Sequence, residues 1–466
     1  MGRRSHRPGP APADVRGGEP SRRDPRGPSQ GGAVRRRPSF ERGDRRVAAS
    51  RSRRVSQRHR RDGRLDQGGV RRHPRAVIGP ALSAQYAALF DRPWPVWGAA
   101  ILVATVNVFL FAFDRPWTAS DGLRNWGDWI LTGAGFAHRA DLVAPWLYSG
   151  SLLNLGVLLG GLTAALLSRE FAIRVPPPGE LVKGAAGGLL MGAGAMLAFG
   201  CNIGGFFSAM SALSLSGFGM MLGLGLGAFL GLRYLLWEMA RRPAWSSGKA
   251  RVWGATPLDT PSRQPRAGLL LALALLALPF LYASSGYHAQ GVFLLFGVAF
   301  GVVFQRSRFC LVRAFREPFM TGDAAHTRAA ALALAVSMLG FAILKFTDLK
   351  DRGDWVFAGA GVGALAGGTL FGVGMTLAGG CGAGAIWRAG EGQVKLWAAL
   401  AGFALGASGA RLALVQADAL GKLGWAVFLP SLVGWGGSIV LTLAVLAAWA
   451  LLATWNEDTR VVSALE

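Results

Sequence analysis

The chain is punctuated by apolar stretches about as long as the 20 or so residues a helix needs to cross the hydrocarbon core of a bilayer. Ten of them are legible, at about 94–113, 146–167, 184–199, 218–237, 267–286, 289–305, 329–347, 357–378, 395–414 and 430–453. Several are broken by Gly, which membranes tolerate where neighbouring helices satisfy the backbone. Composition agrees, with 16% charged residues against about 25% in soluble proteins. Segments at about 115–133, 201–215, 306–321 and 381–392 are too polar or Gly-rich to span and too apolar for ordinary loops. They are expected to be short re-entrant helices. The fold class predicted is an all-α polytopic membrane protein, with about ten transmembrane helices, short re-entrant helices and two inverted repeats.

The net charge of +24 is concentrated at one end: residues 1–80 hold 23 Arg, no Lys and 7 acidic residues. This leader has no apolar run able to offset the entropy of ordering it, and is expected to be disordered. It reads either as a cytoplasmic tether contacting anionic lipid or nucleic acid, or as translated GC-rich DNA upstream of a true start near Val77. The remaining chain carries only +8, so it is not expected to bind nucleic acid. The basic stretch 232–266 (Arg233, Arg241, Arg242, Lys249, Arg251, Arg263 and Arg266) is expected in the cytoplasm. Four spans precede it and ten occur in all, so both termini are expected there too.

Residues 190–204, LMGAGAMLAFGCNIG, repeat at 370–384, LFGVGMTLAGGCGAG, with Leu190/Leu370, Gly192/Gly372, Gly194/Gly374, Leu197/Leu377, Ala198/Ala378, Gly200/Gly380, Cys201/Cys381 and Gly204/Gly384 identical. The match resumes at LGAFLG, 226–231, opposite AGFALG, 401–406. Equivalent elements stand five spans apart, an odd number, so the second half is expected upside down, as in many transporters. Cys201 and Cys381 are then expected to approach each other from opposite sides. The organisation read is leader 1–80, first repeat 90–240, loop and connecting span 241–288, second repeat 289–415, and final span with cytoplasmic tail 416–466.

The chain has three cysteines, Cys201, Cys310 and Cys381, with no CxxC, and six histidines with no HxxxH pair. A disulfide framework, a four-Cys zinc site and a CxxC redox pair are therefore absent from the pattern, and no metal or cofactor is expected. A lone buried Cys usually acts as a small hydrophobe; two at equivalent breaks, flanked by Gly200, Gly204, Gly380 and Gly384, favour a functional reading. Cys310 sits among Arg306, Arg308, Arg313 and Arg316. That cluster reads as an electropositive vestibule for anions or as an ordinary cytoplasmic-edge cluster. Arg388 and Glu391 are expected to pair and hold the turn after Cys381. The first-half region 115–126, RPWTASDGLRNW, shows no counterpart of Cys310. Soft thiols beside positive charge suit a soft sulfur or selenium anion.

Three stretches carry a resemblance: WPVWGAAILVATVNVFLFAFDRPW with SDGLRNWGDW, QRSRFCLVRAFREPFMTGD, and LAGGCGAGAIWRAGEGQ. Together they resemble the YeeE/YedE sulfur-transport family of bacterial inner-membrane proteins over roughly residues 90–455. The resemblance implies inverted halves, short re-entrant helices, and uptake of thiosulfate through transient S–H···S contacts, roles that fall on Cys201, Cys310 and Cys381. It also implies a possible cytoplasmic TusA-like sulfur-carrier partner, and selenium compounds as alternative cargo. Rival readings are a membrane thiol oxidoreductase or persulfide-handling subunit, which needs a cysteine pair able to meet, and a purely structural subunit. A transporter rather than an enzyme is the expectation.

Overall fold

The computed structural model describes residues 84–136, 141–242, 248–253 and 263–460. The leader 1–80, parts of the basic stretch 232–266 and the last residues of the tail lie outside them. The helices are α1 (Val96–Phe113), α2 (Ala119–Gly133), α3 (Ser149–Leu167), α4 (Pro178–Leu197), α5 (Asn202–Ser211), α6 (Leu215–Arg241), α7 (Gln264–Ser284), α8 (His288–Ser307), α9 (Leu311–Met320), α10 (Ala325–Phe346), α11 (Val362–Ala378), α12 (Gly382–Gly390), α13 (Val394–Gln416) and α14 (Pro430–Thr459). Among the described residues nine helical stretches are long and apolar enough to cross a membrane, or ten when α4 and α5, bent by 42°, count as one. Each of the ten apolar stretches holds one long helix. The segments between them hold α2, α5, α9 and α12, which are 9 to 15 residues long and rise too little to span. The chain is an all-α polytopic membrane protein.

Helices pack backbone to backbone through glycine. No room exists for a Cβ on Gly188 of α4 beside the Ala399 carbonyl of α13, or on Gly402 of α13 beside the Ala185 carbonyl of α4. The same holds for Gly227 of α6 beside Thr369 of α11. Without a hydrophobic force between helices in lipid, such close approach is what holds them together. The partners exchange between the halves: α4 packs on α13 and α11 on α6, while α3 packs on α8 and α10 on α1. At the centre, a Cβ on Gly194 would reach within 2.6 Å of the Gly367 carbonyl, and one on Gly374 within 2.5 Å of the Gly187 carbonyl. Pairing 187 with 374 and 194 with 367 means that α4 and α11 run antiparallel.

One end of the bundle is tied by charge. Lys183 of α4 bridges Glu180 and, at 3.0 Å, Glu238 of α6, while Lys395 of α13 reaches Glu180 at 2.5 Å. A short antiparallel pair, β1 (Ile173–Val175) with β2 (Arg251–Trp253), seals the same end. The Arg174 amide also donates to the Gly392 carbonyl at 2.8 Å. Helices α7 and α14 cover the outside, with Leu270, Phe280, Leu432 and Leu451 facing outward.

Gly188→Val should overpack the α4–α13 contact, at about 1–3 kcal/mol or more, and reduce both the yield of monodisperse protein and its thermal midpoint in detergent. Gly225→Ala is the matched control, because nothing lies within 4 Å of its added methyl. It should hold or raise the midpoint, since Ala is the better helix former.

Candidate functional site

The repeated motif makes the same break twice. Helix α4 ends at Leu197 with Ala198 as its cap, and α11 ends at Ala378. The next residue is left-handed in both, Phe199 at φ 58° and Gly379 at φ 75°. The cysteines then extend, Cys201 at φ −73°, ψ −179° and Cys381 at φ −80°, ψ −178°, and each precedes a short helix. The Cys201 carbonyl accepts the Gly205 amide and the Cys381 carbonyl accepts the Ala385 amide, both at 2.7 Å. A left-handed Phe is sterically unfavourable, so the first break persists because its surroundings impose it.

The glycines have distinct tasks. A Cβ on Gly200 would meet the Gly205 amide at 2.5 Å, and one on Gly204 would strike the Thr118 side chain. Gly380 lies against Leu396. Gly384 is different: the point where its Cβ would stand is 3.5 Å from the Cys381 sulfur and 3.9 Å from the Cys310 sulfur. The Gly384 amide donates to the Cys381 sulfur at 3.3 Å. Cys310 and Cys381 thus form a thiol pair, bordering with Gly384, Phe304, Phe309 and Trp387 a cavity of about 10 Å³. That is room for roughly one water molecule. All three thiols are buried.

Cys310 caps the start of α9 at φ −150°, ψ 119°; Thr118 caps the start of α2 at φ −139°, ψ 123°. Thr118 Oγ1 lies 3.6 Å from the Cys201 sulfur. Region 115–126 holds no second thiol, but it sets the Thr118 hydroxyl against Cys201 at a helix start whose backbone resembles that at Cys310. The signal was an aromatic residue followed by a helix-capping residue, Trp117–Thr118 beside Phe309–Cys310, which a search for cysteine passes over. Ser120 adds a second hydroxyl, 2.8 Å from Thr118 Oγ1 and accepting the Cys201 amide at 3.2 Å. Asn154 anchors this turn, accepting from the Trp117 indole at 3.1 Å and donating to the Ala119 carbonyl at 2.9 Å.

The arginines divide. Arg308 binds Glu391 and Glu170, both at 2.6 Å, and Gln305 donates to the same two carboxylates at 3.1 and 2.7 Å. Arg388 does not pair with Glu391 as its spacing suggested. It donates to the Gly379 carbonyl at 3.1 Å, where a cation complements the C-terminal end of α11. Both guanidiniums lie over the buried Trp387 ring, at 5.3 and 5.2 Å from its centroid. The other arginines are committed elsewhere: Arg306 to the Leu89 and Arg92 carbonyls, Arg316 to Glu317 at 2.8 Å. Of the four around Cys310, Arg308 is the one at the Trp387 side of the thiol pair.

This architecture now meets its relatives. The family described as "Sulphur transport" matches residues 69–230 and 306–465. The chain belongs to that family. It is 30% identical to a probable transporter YedE of Salmonella typhimurium over 319 residues, covering 65% of this chain and 77% of the relative. It is 39% identical to a thiosulfate transporter TsuA of Spirochaeta thermophila over 114 residues, 24% of this chain and 34% of the relative. A TsuA of Escherichia coli matches at 38% over 109 residues. No solved structure matches the chain. The two family matches leave out 231–305, which holds α7 and nearly all of α8, and take in all three cysteines.

If the Arg308–Glu391 pair seals the Trp387 side, Glu391→Gln should speed maleimide labelling of Cys381 in membranes several-fold relative to the intact chain. Equal rates would mean that the pair is no seal.

Proposed function

We propose that this chain is an inner-membrane permease for a small sulfur-containing anion of the thiosulfate class, passed along Cys201, Cys381 and Cys310. The observation that carries the reading is a cysteine at each of two similarly broken helices, one met by a second thiol and the other by a hydroxyl: Cys310 packs against Cys381, and Thr118 Oγ1 lies 3.6 Å from the Cys201 sulfur. The family match and the names of the two TsuA relatives support sulfur as cargo. Thiols are weak hydrogen-bond donors that suit a polarizable terminal sulfur, so an anion can be held by S–H···S contacts without being trapped. No covalent bond forms or breaks.

The reading includes inverted halves. Antiparallel contact of α4 with α11 at reciprocal glycines is what a two-fold axis in the membrane plane produces. With the basic stretch 232–266 in the cytoplasm, the Arg308–Glu391 cluster, joined to it through β1 and β2, faces inward, and both termini do too. The outward side is then the α10–α11 connection, whose Trp355 indole donates to the Gly204 carbonyl at 3.2 Å. The anion passes Thr118 and Cys201 first, then Cys381 and Cys310, and leaves under Trp387. Arg308 and Arg388 there attract a dianion inward, and a cytoplasmic TusA-like carrier is the natural consumer. Net flow follows consumption.

A second reading keeps one specific observation in its favour. Cys310 and Cys381 lie close enough to suggest a dithiol that cycles with a disulfide, as a thiol oxidoreductase requires. It predicts an oxidant-dependent gel shift after alkylation, which transport alone does not.

The test is growth on thiosulfate as sole sulfur source by a bacterium lacking its own sulfate and thiosulfate uptake and expressing the full chain. Growth is expected, and Cys381→Ala or Cys310→Ala should abolish it while the protein stays in the membrane. Growth that survives both substitutions would discard the thiol pathway, and absence of growth with the intact chain well expressed would discard thiosulfate.

A further inference from the structure

The thiols account for one end of a thiosulfate-like anion; its oxygens need partners too, and among the described residues next to the cysteines one buried carboxamide is without any. Asn202, directly after Cys201, is fully buried, yet neither its Nδ2 nor its Oδ1 has a hydrogen-bond partner. The other buried asparagines nearby are engaged: Asn107 with Trp117 and Ser208, Asn125 with Val143 and Ser151, Asn154 with Trp117 and Ala119. Leaving a buried amide unpaired costs about 1–3 kcal/mol, and such a group in a native protein calls for an explanation. The Asn202 side chain stands next to the Cys381 thiol, at the place where the proposed path passes from Cys201 to the thiol pair.

The halves differ at this point. In the repeat, Asn202 is matched by Gly382 and Thr118 by Cys310. The second half thus presents two thiols and no side chain at the position after the cysteine. The first half presents one thiol, a carboxamide and the linked hydroxyls of Thr118 and Ser120. The missing side chain at Gly382 lets the halves close: a Cβ there would lie 3.3 Å from the Ala119 Cβ and 4.0 Å from the Cys201 Cβ.

We propose that Asn202 and Thr118 bind the oxygens of the anion while Cys310 and Cys381 bind its sulfur, so that the site selects for anions with both ends. This rests on the sulfur-anion reading above and extends it to specificity. Amide N–H and hydroxyl are strong donors to a charged oxygen; a thiol is not. Sulfate satisfies only the first set and hydrosulfide only the second, so each should compete weakly with thiosulfate. Selection by buried donors left unpaired when the wrong ligand binds is more demanding than selection by shape.

The experiment measures uptake of radiolabelled thiosulfate into vesicles reconstituted with the full chain, with sulfate or hydrosulfide as competitor. Asn202→Ala and the isosteric Asn202→Asp should each raise KM by roughly tenfold or more, the effect of losing one hydrogen bond to a charged group. Thr118→Cys, which makes the first half thiol-like, should raise the potency of hydrosulfide as competitor several-fold. Monodispersity of the purified variants checks folding, and Asn202→Asp serves where Asn202→Ala does not fold. Unchanged KM in a well-folded Asn202→Asp, together with unchanged competition in Thr118→Cys, overturns the oxygen-binding role and leaves the permease reading standing. No uptake by the intact chain overturns both.

Discussion

A helix that stops inside a membrane leaves its last carbonyls and the next helix's first amides without water to bind, and this chain makes that stop at two equivalent places. Everything near the cysteines answers that constraint. After α4, the Gly200 amide turns back to the Ala195 carbonyl at 2.8 Å, Ser120 accepts the Cys201 amide, and Trp355 donates to the Gly204 carbonyl. After α11, Arg388 covers the Gly379 carbonyl and the Cys381 sulfur accepts the Gly384 amide. The second break uses charge and sulfur where the first uses hydroxyl and indole. The glycine seams between α4, α11, α13 and α6 serve the same end, because only backbones in contact leave no gap for lipid beside the exposed peptide groups.

The chain's architecture was legible because apolar length and cysteine-bearing repetition are properties of neighbouring residues. Each apolar run became a long helix, and the intervening segments became the short ones. The pairing of charges was not legible. Arg388 and Glu391 stand at helical spacing, but Glu391 follows the end of α12 and turns to Arg308, 83 positions earlier in the chain, since Gly379 offers Arg388 a bare carbonyl. Thr118 was hidden for a different reason: equivalence between the halves is carried there by backbone conformation at a capping position, and chemistry at that position has diverged. The strand pair β1–β2 is only three residues on each side, too short to leave a periodic signal.

The closed thiol cavity and the ring of charge around Trp387 belong to one energetic problem. A dianion cannot rest in an apolar cavity without paired donors, and a site that holds it too well cannot release it. Two guanidiniums over one indole, each also bound to protein oxygen, lower the field's pull by sharing it: Arg308 is balanced by two carboxylates, and Arg388 by a helix end. What remains beside the soft, weak donors is a nearly balanced set of charges and not a deep electrostatic trap.

Inverted halves of identical chemistry would make a path whose two ends are equivalent. If the halves are inverted as proposed, the difference between Thr118 and Cys310, and between Asn202 and Gly382, removes that equivalence at the centre. On the proposed reading, an anion with an oxygen end and a sulfur end would be held in one orientation, its sulfur toward the thiol pair and Trp387. Orientation adds no driving force, since a passive path only follows the gradient. It would decide which atom leads at the proposed inner mouth, and for a thiosulfate-like anion that is the sulfur a cytoplasmic carrier of the proposed kind would have to reach.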